Sequence, residues 1–373
     1  MSRSATSAPS IRATPSACRR RPSARSPPRG RPSTSRSGWL SRPGPGSPTP
    51  SAFAAGTTRP RSPARSACHS PRIGRSSSAG WGRSRGRRRP GSPDVSADER
   101  VGSEARARVV ADLAVLGGRL ALERFHHAHI SIKRDGTLVT DADLAIQEAL
   151  GREIARAFPT DGLVGEEGLI GEPRGEARYA WILDPIDGTN NFARGMPGFA
   201  VSVGVLRDGM PFAGAVYDPI ARWLFTGCAG RGAWLNDRPL RVRSEPLVGD
   251  SLFAIRTPCE GGVPEYMERW LRHYRVRRFG STALHLCYVA LGGLDFVHDD
   301  RASLWDIAGA APVLLEAGGV LTTDEGAAVF PVSAAQARGG APIALLAGQP
   351  ASHADAVRDV RAARWGALTV STP

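Results

Sequence analysis

Trp181-Ile182-Leu183-Asp184-Pro185-Ile186-Asp187-Gly188-Thr189 is the stretch from which the fold is read. The apolar run predicts a strand that stops where two aspartates, three residues apart, straddle a proline. Gly188-Thr189 then predicts a tight turn. Pro185 restricts the backbone and Gly188 frees it, so both carboxylates can be aimed at one point. Two ionised carboxylates ~4 Å apart repel by roughly 4 kcal/mol at an effective dielectric of ~20. They stay ionised together when a cation sits between them, and hard oxygen ligands suit Mg2+. Aspartates are also ordinary turn formers beside Pro and Gly, so this stretch alone leaves both readings open.

Three further motifs narrow the choice. Upstream, Leu163-Val164-Gly165-Glu166-Glu167-Gly168 closes a short apolar run on two glutamates between glycines. Downstream, Leu304-Trp305-Asp306-Ile307-Ala308 opens an apolar helix that ends at Gly318-Gly319. Between the first helix and the glutamates lie Lys133-Arg134-Asp135-Gly136 and, a few residues on, Thr140-Asp141-Ala142-Asp143. Taken in this order, over about residues 98–350, these motifs resemble the inositol monophosphatase family of metal-dependent phosphatases.

The resemblance implies an α+β or α/β fold, a layered αβαβα sandwich of two α/β halves with the site between them. It implies a Mg2+-dependent phosphomonoesterase with two to three ions, hydrolysing a small polyol phosphate by direct attack of a metal-activated water. Inositol 1-phosphate is the first expected substrate. L-histidinol phosphate and fructose 1,6-bisphosphate are the alternatives, the former suggested by Ser303-Leu304-Trp305-Asp306. Glu166, Asp184 and the Ile186 carbonyl would hold one ion, Asp184, Asp187 and Asp306 a second, and Glu166 with Glu167 nearby a third. Asp143 and Thr189 match the pair that orients and deprotonates the water. Lys133, the only lysine in the chain, lies where the family places one near that water, and a compact ammonium there is not interchangeable with arginine. Gly188 and Thr189 would meet phosphate oxygens, and Gly280, Ser281 and Thr282 match the substrate-facing turn. Asp299 stands where the inositol enzymes carry a glutamate that bonds ring hydroxyls, and Thr282 stands where they usually carry alanine. Relatives are commonly homodimers and are inhibited by lithium.

Composition divides the chain. Of 49 basic residues, 20 are arginines within residues 1–93, which hold no Asp, Glu or Lys; the remainder carries 29 basic against 35 acidic residues. Residues 1–95 are therefore predicted to form a disordered Arg/Ser/Pro-rich tail, since they cannot bury enough apolar surface to offset ordering. A nucleic-acid-binding arm, a transit peptide and a start codon placed too early are the three readings of it. No nucleic-acid role is expected of the remainder, and no apolar run reaches the ~18 residues of a membrane span. An odd cysteine count after the tail (Cys228, Cys259, Cys287), without ligand spacing, predicts a reduced, cytoplasmic protein.

Periodicity predicts a helix opened by a capping box at Ser96 and fading near Phe125, then a hairpin over Ser131–Val139 turning at Asp135-Gly136. A helix from Thr140 to before Pro159 follows. Strands are expected at Leu163–Gly165, Tyr179–Leu183, Phe199–Leu206, Phe212–Tyr217 and Trp223–Gly227, an antiparallel meander laid beside helices. Beyond Leu240 the pattern becomes strand and helix in alternation: Ser251–Ile255, Glu265–His273, Ser281–Leu291, Leu294–Val297, a helix from Asp306, and strands near Val320 and Ile343. This change places a boundary between an N-terminal metal-binding half, 96–244, and a C-terminal half, 245–373. His126-His127-Ala128-His129 is read as a solvated helix end rather than a zinc site.

Overall fold

The structure, a computed structural model, describes residues 97–133, 138–171, 177–256, 262–333, 336–337 and 341–369. The predicted tail, the Ser96 cap, the Asp135-Gly136 turn and Cys259 lie outside them.

Helix α1 (Ala97–Arg124) leads into a hairpin of β1 (Ile130–Ile132) and β2 (Leu138–Thr140), and α2 (Asp141–Ala157) follows at once. Next come β3 (Gly162–Gly165), β4 (Gly168–Gly171), β5 (Tyr179–Asp187) and the short α3 (Thr189–Ala193). A meander then runs through β6 (Ala200–Arg207), β7 (Met210–Asp218), β8 (Trp223–Cys228), β9 (Gly232–Leu235) and β10 (Arg238–Pro239). The remainder is β11 (Leu252–Ile255), α4 (Glu265–His273), β12 (Arg275–Arg277), α5 (Thr282–Ala290) and β13 (Phe296–Ala302). It closes with α6 (Leu304–Ala308), α7 (Ala310–Glu316), β14 (Val320–Thr323), β15 (Ile343–Gly348) and α8 (Pro350–Thr369).

Two large sheets result. The first has the order β10-β9-β8-β7-β6-β5-β3-β4 and is antiparallel except for the parallel β3–β5 pair. The second has the order β12-β11-β13-β15-β14, with β11 parallel to both its neighbours. The central strands β3, β5, β6 and β11 are buried on two faces over most of their length, which is why they read as near-continuous apolar runs rather than alternating ones. Period-two geometry sends Trp181 and Leu183 to one side of β5, into a core with Val110 and Leu113 of α1 and Ile146 and Leu150 of α2. Ile182 points the other way, into a core shared with Leu284 and Val289 of α5, Val313 of α7, and Ala254 and Val297 of the second sheet. Phe253 and Phe296, on the far face of that sheet, pack against Tyr266 and Trp270 of α4 and Val360 of α8. The layers are therefore α1/α2, first sheet, α5–α7, second sheet, α4/α8, the expected αβαβα order. Each fully buried Leu or Ile here stabilises the fold by about 1.5–3 kcal/mol relative to exposure.

One feature of the middle layer positions the site. Gly204, Gly214 and Gly227 lie side by side on β6, β7 and β8. A β-carbon on Gly204 would sit 2.5 Å from the Ala308 backbone, and one on Gly227 would sit 2.5 Å from the Val313 nitrogen. One on Gly214 would overlap the Gly309 carbonyl. This bare stripe lets the α6–α7 backbone lie directly on the sheet.

Two expected boundaries are corrected. β5 continues through Pro185 to Asp187 instead of stopping at Leu183. The strand expected at Leu294–Val297 is β13, shifted to Phe296–Ala302, so Asp299 and Asp300 lie within a strand. Among the described residues, no helix is long and apolar enough to cross a membrane.

Candidate metal and catalytic centre

In a regular strand, residues three apart face opposite sides. Asp184 pairs with Ser202 while Asp187 pairs with Ala200, so three steps on β5 oppose two on β6. That extra residue is a bulge, which tolerates Pro185 and restores both aspartates to one side. Asp184 Oδ1 accepts the Ile186 N–H at 3.1 Å. Gly188 then turns the chain at φ 98°, and a β-carbon on it would come 2.8 Å from the Gly198 carbonyl. The Thr189 hydroxyl donates to the Ile186 carbonyl at 3.0 Å.

Asp187 is gripped from the other sheet's side of the molecule. The Ser281 hydroxyl and Ala283 N–H each donate to its Oδ2 at 2.6 Å, and the Thr282 N–H reaches Oδ1 at 3.3 Å. Gly280 (φ 86°) makes the turn before α5. Asn191 Nδ2 donates to the Gly198 carbonyl at 2.8 Å and the Phe279 carbonyl at 2.6 Å, tying that turn to the one after Asp187. Asp306, at the third position of α6, accepts the Ser303 N–H through Oδ2 at 2.8 Å.

Carboxylate oxygens of Asp184, Asp187 and Asp306 all lie within 4.8 Å of one another. Burial, then repulsion from Glu166, Asp187 and Asp306, holds Asp184 well above the usual carboxylate range. Asp306 is raised likewise, by burial and then by Asp187. Burial lifts Asp187 to about 7 even though Ser281, Ala283 and Thr282 pull it down. Such a group is stable as three anions only around a cation. The donor set is all oxygen, short and hard, and it fits a divalent ion such as Mg2+.

Glu166 and Glu167 occupy the tip of the β3–β4 hairpin, between Gly165 and Gly168. Lys133 Nζ pairs with Glu166 Oε1 at 2.9 Å and Glu167 Oε1 at 2.7 Å. Burial alone would lower the lysine's pKa, but these two carboxylates outweigh it and hold the ammonium charged. Gln147 of α2 accepts the Glu167 N–H at 3.0 Å, fixing the hairpin to the helix.

Asp143 sits at the third position of α2. Its Oδ2 accepts the Thr140 N–H at 2.8 Å and the Thr140 hydroxyl at 2.5 Å. Its Oδ1 is buried with no hydrogen-bond partner. Burial, reinforced by Glu166 and Glu167, raises this carboxyl to about 7 against the pull of Thr140. An orphaned buried acceptor of near-neutral pKa, beside an anionic cluster, is the electrostatic profile of a proton-accepting group. Thr140, not Thr189, is the hydroxyl that touches it.

Asp299 is 1% exposed on β13. It accepts the Thr282 hydroxyl at 2.7 Å and the Arg301 N–H at 3.0 Å, with Arg256 at 3.8 Å. The residues that sequence reasoning missed are Asn191, Gln147 and Arg256, each of which acts through contacts 20 or more residues away. Only the Gly188-Thr189-Asn190-Asn191 turn carried any signal. The histidine run builds no ligand group: His126 packs on Phe125 at 4.0 Å, and the aspartate trio is the metal-type cluster found among the described residues. A separate cavity of about 280 Å3, lined by Trp234, Arg241, Glu316 and neighbours, shares no residue with this centre.

Comparison with known proteins agrees with this geometry. The sequence profile of the inositol monophosphatase family matches residues 104–362. The chain is 36% identical to inositol monophosphatase 1 of Solanum lycopersicum, over 58% of this chain and 84% of that protein. It is 34% identical to the Nus factor SuhB of Pseudomonas aeruginosa, over 56% and 81%. Among solved structures, the IMPase of Thermotoga maritima superposes with a TM-score of 0.62 at 25% identity, covering 70% of this chain and 99% of that one. The suhB protein of Bartonella henselae gives 0.61 at 29%, covering 69% and 98%. The chain belongs to the inositol monophosphatase family and is a phosphoric monoester hydrolase.

Proposed function

We propose that this member of the family is a Mg2+-dependent phosphomonoesterase for a small polyol phosphate, with inositol 1-phosphate as the first candidate. The convergence of Asp184, Asp187 and Asp306 within 4.8 Å carries the reading. Asp184, Glu166 and the Ile186 carbonyl would hold one ion, and Asp184, Asp187 and Asp306 a second. A third would share Glu166 with the Lys133 ammonium, near Glu167. When bound, Mg2+ neutralises phosphate charge and lowers the pKa of water.

The remaining work falls to the protein. Asp143 Oδ1 takes the proton of the attacking water, and Thr189 orients that water while its hydroxyl is anchored at Ile186. The N–H groups of Gly188 and Thr189 meet the phosphate oxygens, and Gly280, Ser281 and Thr282 line the leaving-group side. We assign the metal-binding half to 96–244 and the other to 245–373, in a cytoplasmic homodimer. Light scattering on the full chain tests the dimer.

Initial rates on inositol 1-phosphate, L-histidinol phosphate and fructose 1,6-bisphosphate, with Mg2+ and then with EDTA, test the activity. Phosphate release from at least one ester, abolished by EDTA and inhibited by tens of millimolar Li+, is expected. No release from any of the three would sink the reading. A second reading rests on the 20 arginines of residues 1–93. It is nucleic-acid binding through the tail, tested by a salt-sensitive gel shift that deletion of residues 1–95 removes.

A further inference from the structure

Resting on the phosphatase reading above, we propose that Gln147 is a positioning residue for the reaction, a brace from α2 that sets Glu166 and Glu167 against Asp143. The two glutamates form a hairpin tip whose successive N–H groups are tethered to different elements. The Glu166 N–H donates to the carbonyl of Leu183, the residue before Asp184 on β5, at 3.1 Å. The Glu167 N–H donates to Gln147 Oε1 at 3.0 Å. The first bond is backbone to backbone and comes with the register of β3 on β5. The second depends on one side chain, and substitution removes it.

Asp143 and Gln147 are four residues apart, so both project from one buried face of α2. A buried amide needs hydrogen-bond partners. Here Oε1 takes the Glu167 N–H while Nε2 donates to the Gly168 carbonyl at 3.5 Å, so the amide spans the end of the hairpin. Gly165 makes room for it. A β-carbon there would overlap Gln147 Oε1 and stand 3.0 Å from Nε2. A missing side chain on β3 and a long amide on α2 thus interlock, and the tip cannot shift along the helix without breaking that fit. The helix that carries the proton acceptor therefore also fixes the carboxylates beside it. Removing a group that orients ligand-bearing elements in this way costs ~10–100-fold in metal affinity or activity.

Gln147→Met keeps the length of the side chain and loses both bonds. It should weaken Mg2+ binding, read by calorimetry, about tenfold. At saturating Mg2+ its kcat should fall about tenfold while KM for the ester stays within about twofold, because the reacting groups are misaligned rather than missing. Gln147→Glu still offers an oxygen to the Glu167 N–H and should stay within about threefold of the parent in both readings. Gly165→Ala, which displaces the amide, should copy Gln147→Met, yet add less than about twofold to the loss in a Gln147→Ala background. A lower Tm with parental Mg2+ affinity and kcat would make the amide merely architectural and overturns the proposal. So do additive losses in the double variant, or a Gln147→Glu protein no better than Gln147→Met.

Amide exchange in EDTA reads the brace without metal or turnover. In Gln147→Met the Glu167 N–H should exchange up to about tenfold faster, the worth of one hydrogen bond. The Glu166 N–H, held by Leu183, should change by less than about twofold. Equal acceleration of both overturns the proposal. Failure of the parent to hydrolyse any of the three esters counts against the phosphatase reading, while calorimetry and exchange still decide the brace.

Discussion

Thr140-Asp141-Ala142-Asp143 and Ser303-Leu304-Trp305-Asp306 are the same local device at two helix starts beside one group of acids. Each is a hydroxyl residue at a helix N-cap followed three positions later by an aspartate that accepts the N-cap N–H at 2.8 Å. This capping box uses one carboxylate oxygen and leaves the other pointing off the helix end. The difference lies in what the second oxygen meets. A carboxylate oxygen of Asp306 lies within 4.8 Å of one each from Asp184 and Asp187, whereas Asp143 Oδ1 is buried without a hydrogen-bond partner. Asp143 also keeps the Thr140 hydroxyl, which restrains its pKa near 7. One motif thus yields a cation ligand where three acids converge, and a proton acceptor where one carboxylate oxygen is left without a hydrogen-bond partner. A cap sets where an aspartate goes; its neighbours set what it does.

Asparagine substitution breaks the comparison most sharply, because its side-chain oxygen can still accept the N-cap N–H. Asp306→Asn should therefore keep the fold and lose at least about 1,000-fold in kcat/KM, as expected when a divalent-ion site is dismantled. Mg2+ calorimetry on the same variant should show a weakened or missing site, and retention of a tenth of parental turnover would remove Asp306 from the ligand set. Asp143→Asn should lose less, about 100-fold in kcat, the usual worth of a general base. It should still bind Mg2+, and its rate profile should lack the limb near the pKa of about 7.

The buried acids also carry a cost in the ion-free protein. Asp143 and Asp187 sit near 7 in the fold against the ordinary 3.8, so the fold holds more protons than the unfolded chain between those values. Stability of the EDTA-treated protein should consequently fall as pH rises from about 4 to 7. Melting curves at pH 5.5 and 8 would read this, and saturating Mg2+ should flatten the difference. The smallest effect is expected from Thr140→Val. Losing a hydroxyl that favours the charged form moves the Asp143 limb to higher pH. A limb that stayed put would mean that the backbone cap alone governs Asp143.

The acids themselves were legible because each is announced locally: Asp184 and Asp187 by Pro185 and Gly188, Glu166 and Glu167 by flanking glycines, Asp143 and Asp306 by their caps. What brings them together was not. The bulge in β5 is invisible because its register belongs to β6, and a proline within an apolar run reads as a strand end. β13 was placed early because Asp299 and Asp300 look like loop residues until Thr282, Arg301 and Arg256 are seen to satisfy Asp299. Asn191 ties together two carbonyls that lie 81 positions apart along the chain, at Gly198 and Phe279, and no local pattern encodes such a tie. The antiparallel meander was read correctly, since β6 to β8 are joined by short turns with Gly, Asp or Pro at their centres.

The row of side-chain-free positions at Gly204, Gly214 and Gly227 bears on how this molecule can drift. None of the three is an acid, yet all lie beneath the backbone that carries Asp306. A single added methyl there would lift that helical segment and carry the ligand with it, and displacements of ~1 Å at a reacting centre can cost ~100-fold in rate. The least forgiving inheritance in the chain is therefore as much its missing atoms as its charged ones.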